Sequence, residues 1–481
     1  MDKNGLFDYI EQNQHIFTDL SDQIWALAEL SLLEYQSMDA YVKVLKKLDF
    51  AVETGVAGVK TAFTGTYGSG KPIIGILGEY DALSGLSQES GIAKRQELQK
   101  GGCGHGCGHN LLGAGALAAA AAVKKYLEEK GPGSGTVIFY GCPGEEGGAG
   151  KAFMAQKGLF YGLDAALTWH PGDVNEVNTG SCLSSLQVEY TFEGLAAHAA
   201  GCPHLGRSAL DAVELMNIGV QFLREHMPKS DSIHYAITDA GGDSPNVVQP
   251  MARVLYMVRS DKVKKAQALL ARVENIAKGA AQMTETKLSR RFIDGTADIV
   301  PNKAMEQAIY RNLTSAPLPA YTQAEWDFAK DVFSTYTPDE LPGFAPKFDE
   351  EIEDYVKKVS ENGMRPLNDF IVPFFHSKQV MPGSTDVGDV SWQTPTAQLN
   401  CVTIASGTPG HSWQTVAQGK SSVAHKGMLL AAKVLAATAA DLFEQPWLLE
   451  SAKTEWKEKA ASGYVCPVEE GVIPTAVQNR D

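Results

Sequence analysis

The segment Cys103-Gly-His105-Gly-Cys107-Gly-His109-Asn110 crowds four thiol and imidazole side chains into seven positions, with glycines between them that free the backbone. Ligands two apart in such a loop can turn toward one ion, and thiolate with imidazole is the donor set of zinc and similar borderline cations. A closed zinc knuckle would need a second ligand pair at similar spacing, and none follows. A second signal is Glu145-Glu146 in Pro143-Gly144-Glu145-Glu146-Gly147-Gly148, directly after the apolar run TVIFYGC. Adjacent carboxylates at the carboxyl end of a strand diverge, so one can hold a metal while the other faces an attacking water. Alone, paired glutamates are the composition of a solvated turn. Two histidines complete the set: His170 ends AALTWHP, and His411 follows TIASGTPG.

A mixed thiolate, imidazole and carboxylate set suits zinc or manganese rather than calcium or magnesium. Two divalent ions fit the ligand count if a carboxylate or a water bridges them. Ions about 3.5–4 Å apart would polarise a carbonyl and acidify the attacking water, while the neighbouring glutamate carries the proton to a leaving amine.

Such residues converge only if the chain delivers them to one edge. The first part alternates helices, over Phe7 to Leu33 and Met38 to Leu48, with continuous apolar strands such as PIIGILGEYDAL, and an Ala-rich helix follows the Cys/His loop. This pattern predicts an α/β domain with a largely parallel sheet covered on both faces. Ligands of open α/β sheets bind outside the carboxyl ends of the strands, where four separate strand ends would deliver Cys/His, Glu, His and His. From about Ser184 the order becomes βαββαβ, a ferredoxin-like α+β unit complete in itself. The expected organisation is a catalytic domain over 1–183 and 297–481, interrupted by an inserted unit over 184–296. Residues of about 315–379 read as a polar insertion of uncertain shape, containing the charged helix DEEIEDYVKKVSENG.

At 481 residues the chain exceeds the size at which one core stops growing. The net charge of -15 excludes a nucleic-acid or anionic-membrane surface, either of which would want a clustered basic face. The start has no basic region leading into an apolar one, and the longest apolar run, Ala114 to Val123, is about half a membrane span. Seven cysteines, an odd number spread over a long chain, read as reduced thiols rather than a disulfide framework, which with the missing leader predicts a cytoplasmic protein.

The residues resemble the metal-dependent amidohydrolases and peptidases that include carboxypeptidase G, aminoacylases and the plant auxin-conjugate hydrolases. The resemblance spans nearly the whole chain: Glu79-Tyr80-Asp81-Ala82-Leu83, Cys107-Gly108-His109, Gly144-Glu145-Glu146-Gly147, Trp169-His170-Pro171, Ala196-Ala197-His198-Ala199-Ala200, Ser244-Pro245-Asn246-Val247-Val248 and the His411 loop. It implies metal positions at Cys107, His109, Glu146, His170 and His411, and the general base at Glu145. It implies that the inserted unit is a lid and dimerisation domain, and that His198 stabilises a tetrahedral oxyanion, often across a dimer. Asn246 and Arg259 become substrate contacts, Arg259 through a planar fork suited to a free carboxylate. Where relatives carry Asp-x-Asp-Ala-Leu-Pro, this chain has Glu79-Tyr-Asp81-Ala-Leu-Ser, and Asp81 would orient a ligand from behind. Relatives have Asp after Cys-Gly-His; here Asn110 stands there, expected as a cap for the Ala-rich helix. Where many relatives show Ser-Glu-Asp-Phe, this chain has Ser384-Thr385-Asp386-Val387. His105 and Cys103 are expected to support the loop rather than bind metal.

The activity so implied is hydrolysis of a small-molecule amide joining an acyl or aminobenzoyl group to an amino acid with a free carboxylate, such as p-aminobenzoyl-glutamate. A dipeptidase or general N-acyl-amino-acid hydrolase shares the chemistry. A non-catalytic partner subunit of a heteromeric hydrolase is an alternative of another class. A homodimer is expected, with a heterodimer of related subunits as the other assembly.

Overall fold

The computed structural model describes residues 1–337 and 350–478, so part of the polar stretch 315–379, and the start of its charged helix, lie outside the described residues. The chain forms two compact units. One takes Met1–Ser181, Val300–Gln379 and Val390–Tyr464; the other takes Cys182–Ile299, Val380–Asp389 and Val465–Asp481.

The first unit is built on a seven-stranded sheet in the order Ala51–Thr54, Phe63–Ser69, Gly135–Cys142, Ile73–Glu79, Ala165–Gly172, Thr396–Val402, Glu176–Asn178. Its four inner strands, from Gly135–Cys142 to Thr396–Val402, run parallel, and the outer ones are antiparallel. The inner strands are buried almost end to end, as strands covered on both faces must be. Strand Ile73–Glu79 is the switch point: the chain leaves it to pair Gly135–Cys142 on one side, then crosses to Ala165–Gly172 on the other. A crevice at the carboxyl ends follows from that reversal.

The helix His109–Lys130 is buried from His109 through Val123, which its alanines and glycines permit by letting neighbours approach. At Gly113 an added Cβ would come within 2.6 Å of the Glu79 carbonyl oxygen, so a larger residue would push the helix off the strand end. Gly108 precedes this helix with φ +76, a left-handed conformation that glycine adopts at no steric cost. Asn110 is not its cap. It sits inside the first turn and donates from Nδ2 to Ser21 Oγ and to the Gly419 carbonyl, because the helix starts at His109 and leaves the capping position to Gly108. The first expected helix is two, Lys3–Gln12 and Gln14–Leu27, broken where Asn13 turns out of helical geometry and its side chain donates to the Tyr9 carbonyl. The polar stretch contributes the helices Gln323–Phe333, closed by a Thr322/Glu325 capping box, and Glu350–Val359.

The second unit has the βαββαβ order: strand Ser184–Glu193, helix Ala209–Arg224, strands Ser232–Asp239 and Met251–Ser260, helix Val263–Thr284, strand Lys287–Thr296. All its strand pairs are antiparallel, in the spatial order Lys287–Thr296, Ser184–Glu193, Met251–Ser260, Ser232–Asp239. Burial along Met251–Ser260 alternates without a break, placing Ala252, Val254, Tyr256 and Val258 against the helices. Residues 465–478 lie against Lys287–Thr296, an edge of this sheet: Arg290 pairs with Glu469, and Arg291 donates to the Val477 carbonyl. Among the described residues no helix is long and apolar enough to cross a membrane, and all seven cysteines are free thiols.

Candidate metal centre

The four parallel strands deliver their chemistry at the same end. Ile73–Glu79 ends on Glu79 and leads to Asp81; Gly135–Cys142 leads to Glu145 and Glu146; Ala165–Gly172 carries His170; Thr396–Val402 leads into the loop of His411. Cys107 and His109 arrive from the start of the helix that packs on Glu79.

Their donor atoms gather into groups within 4.8 Å of one another: Cys107, His109 and His170; Cys107, Glu146 and His411; and Glu79, His109 and Glu145. Cys107 is common to the first two. Its Sγ lies 3.3 Å from His170 Nε2, and His411 Nε2 lies 3.5 Å from Glu146 Oε2. The two glutamates diverge, Glu146 toward Cys107 and His411, Glu145 toward His109.

Hydrogen bonds behind these groups aim them. His109, fully buried, is hydrogen-bonded through Nδ1 to Asp81 Oδ1 at 2.9 Å, and His170 Nδ1 donates to the Pro171 carbonyl at 2.7 Å. Each bond leaves Nε2 as the donor atom for a cation. Asp81 also accepts from Ser31 Oγ at 2.7 Å and from the Glu146 amide at 2.9 Å, so one carboxylate ties His109 to the glutamate turn. Burial is the largest single influence on Asp81 and opposes its charge, but the His109 bond and charge, the Ser31 hydroxyl and the Glu146 amide together outweigh it and hold the carboxyl down at about 2. Glu34 fastens the same turn. Its carboxylate takes the Gly144 and Leu32 amides at 2.8 Å each and the Thr61 hydroxyl at 2.9 Å, and burial, with the Asp81 charge adding, pushes it up to about 8.

The donor set fits a borderline divalent cation. His109 Nε2 and Glu146 Oε1 are buried without a hydrogen-bond partner, which a protein interior does not leave without cost. Burial pushes the Cys107 thiol up to about 12, so it stays protonated at neutral pH unless a cation takes the place of the proton. His105 is not brought into any of these groups. Its Nε2 bonds the Ile24 carbonyl at 3.0 Å, and burial drives it down to about 4. Cys103 is also outside them.

The remaining expected residues belong to the second unit. His198 is exposed, and its Nδ1 accepts the Ala200 and Gly201 amides at 3.2 and 3.0 Å, which puts the ring proton on Nε2. Asn246 is exposed, its carbonyl taking the Ala199 amide. Arg259 donates to Ser384 Oγ at 2.5 Å and lies near the buried Asp294. Burial, with the charge of Asp386 adding and that of Arg259 opposing, pushes Asp294 up to about 7. The unfolded carboxyl loses its proton near pH 4, so between about pH 4 and 7 the folded unit binds the extra proton and loses stability as pH rises. Asp294→Asn is therefore expected to raise the melting temperature at pH 8 by the equivalent of a few kcal/mol, with the gain shrinking toward pH 4. Thermal unfolding across that range reads it, and parallel curves for variant and parent would count against the shift.

The description "Peptidase family M20/M25/M40" matches residues 75–441. This chain belongs to the M20/M25/M40 peptidase family. It is accordingly an amide-bond hydrolase. One of the subunits of the p-aminobenzoyl-glutamate hydrolase of Escherichia coli (strain K12) is 44% identical over 98% of either chain. The Xaa-Arg dipeptidase of Mus musculus is 27% identical over 92% of this chain and 88% of its own. Among solved structures, an aminobenzoyl-glutamate utilization protein from Klebsiella pneumoniae superposes with a TM-score of 0.59 at 16% identity, covering 92% of this chain and 98% of that one. A dinuclear metal binding peptidase of Bacillus subtilis does so at 0.51 and 17%, covering 89% and 99%. These two likenesses speak for an M20/M25/M40 fold.

Glu34, Glu79 and Lys151 were not singled out as site residues by type or spacing. Glu79 had a signal, as the acid beginning the Glu-Tyr-Asp string; Glu34 and Lys151 had none.

Proposed function

We propose that this chain hydrolyses the amide bond between an aminobenzoyl or acyl group and an amino acid, with p-aminobenzoyl-glutamate as the substrate to test first. The observation that carries the chemistry is the pair of three-donor groups sharing Cys107, with Glu145 beside His109. The substrate rests on whole-length similarity to the Escherichia coli hydrolase chain.

Cys107, His109, Glu146, His170 and His411 would hold two divalent ions, zinc or manganese. When bound, the ions supply Lewis acidity to the scissile carbonyl and to the attacking water. Glu145 takes the proton of that water and returns it to the amine nitrogen as the C–N bond breaks. His198, with its proton on Nε2, donates to the oxygen that gains negative charge. Asp81 holds His109 in the tautomer that keeps Nε2 open. Arg259 clamps the amino-acid carboxylate through its fork, and Asn246 adds a polar contact.

Residues 184–296 act as lid and dimerisation element. Phe222 and Ile218 on one helix, and Tyr235 and Ile237 on the outer strand Ser232–Asp239, are exposed apolar groups that a second copy would cover. Full activity in a species sedimenting as a monomer would remove that role. Free thiols and the absence of a membrane-crossing helix among the described residues support a cytoplasmic site of action.

The deciding experiment compares kcat/KM for aminobenzoyl-glutamate, N-acyl amino acids and dipeptides. Aminobenzoyl-glutamate is expected to lead by at least about tenfold, the discrimination a fitted pocket provides. Arg259→Lys is expected to lower kcat/KM for carboxylate-bearing substrates and to spare the corresponding amides. A dipeptide preference would instead favour the reading raised by the dipeptidase relative.

A further inference from the structure

Leu32 holds a backbone conformation that its side chain disfavours. Its φ is +62, in the left-handed region, and it stands at the third position of a turn closed by the Leu33 amide on the Leu30 carbonyl, a place that glycine or asparagine usually takes. The other non-glycine residues with positive φ among those described are alanine, aspartate, glutamate, asparagine and histidine; Leu32 alone is a large aliphatic one. Such a conformation persists only where the surroundings over-determine it, and it collects at functional sites. What holds Leu32 is the turn that carries Glu145 and Glu146. A Cβ on Gly144 would come within 2.9 Å of Leu32 Cδ2, and one on Gly148 within 2.8 Å of Leu32 Cδ1, so each methyl fills the space beside one glycine. Glu34 Oε1 accepts the Leu32 and Gly144 amides at 2.8 Å each, which fixes the two backbones side by side.

Gly144 and Gly148, with φ +69 and +157, come together at the neck of the turn and bring no side chains of their own to pack, so the turn takes its place from what lies against it. Its two glutamates are held differently. The Glu146 amide is tied to Asp81 at 2.9 Å, and the Glu146 carboxylate stands in the donor group with Cys107 and His411. Both of those ties act on Glu146. We propose that Leu32 is a positioning residue for the general base: its left-handed backbone presses the side chain against Gly144 and Gly148 and thereby fixes the direction in which Glu145 meets the attacking water. This rests on the reading of Glu145 as the base given above. Leu32 touches no substrate and acts through the turn alone. The left-handed backbone is part of the device, since another φ would aim the Cβ elsewhere.

The test combines steady-state kinetics with metal analysis of full-length, metal-replete protein. Leu32→Ala, which withdraws both methyls, is expected to lower kcat by about 10–100-fold, the loss that a misplacement of about 1 Å produces, with both metal equivalents retained and KM within about threefold of the parent. Leu32→Met, of similar volume, should recover turnover to within about threefold. In protein already carrying Glu145→Gln, Leu32→Ala should lower the residual turnover by less than about twofold, because a residue that acts through the base then has nothing left to act on. If the alanine variant does not fold, Leu32→Gly stands in, since it withdraws the side chain and removes the left-handed strain. A kcat within about threefold of the parent in the alanine variant overturns the proposal, as does an equal fall with and without the Glu145 carboxylate, or loss of metal along with turnover. The underlying reading fails separately, if Glu145→Gln alone turns over like the parent.

Discussion

Replacing Glu145 by glutamine is expected to reduce kcat by at least about 1,000-fold while both metal equivalents remain bound. Glutamine keeps the shape of the side chain and cannot take a proton, so the attacking water loses its base while the ligand set is untouched. The neighbouring turn should hold, because it is fastened through other groups: Glu34 takes the Gly144 amide and Asp81 takes the Glu146 amide. The measurement pairs steady-state kinetics with elemental analysis of the same sample. Residual turnover within tenfold of the parent, in metal-replete protein, would remove Glu145 from the proton path. Loss of metal along with activity would make it a ligand instead.

Cys107→Ser is expected to strip both ions at once. Its sulfur belongs to two of the three three-donor groups, and a serine hydroxyl is a poor substitute for thiolate at neutral pH. A singly used ligand behaves differently: His411→Ala should cost one ion and leave the other. Dialysed Cys107→Ser protein should therefore hold close to zero equivalents where the parent holds two. One retained equivalent would mean that the thiolate is not shared, and that a water or carboxylate joins the two positions.

The fold was readable wherever burial imposes a period. Strand Met251–Ser260 alternates because one face meets helices, and Ile73–Glu79 is apolar up to its last residue because both faces are covered. The donor types were readable too, since Cys, His and Glu next to glycine at strand ends leave a mark in one dimension. The supporting residues were not. Glu34 reaches Gly144 across 110 positions, and Glu79 meets Lys151 from the helix Gly150–Gln156; neither spacing repeats anything local. Asn110 misled because capping is decided by where the helix starts, and Gly108 in its left-handed conformation set that start at His109, one residue before Asn110. The pairing of residues 465–478 with the strand Lys287–Thr296 escaped for the same reason as Glu34, being made by side chains far apart in sequence.

That last pairing sets an order of events during synthesis. The βαββαβ segment emerges complete by Ile299, but the residues that grip Arg290 and Arg291 emerge about 166 positions later, from Val465 onward. At roughly 5–20 residues per second the strand waits on the order of 10–30 s for its final partner. Until then an outer strand of the sheet is open to other chains, a period in which a nascent copy and a chaperone compete for the same edge.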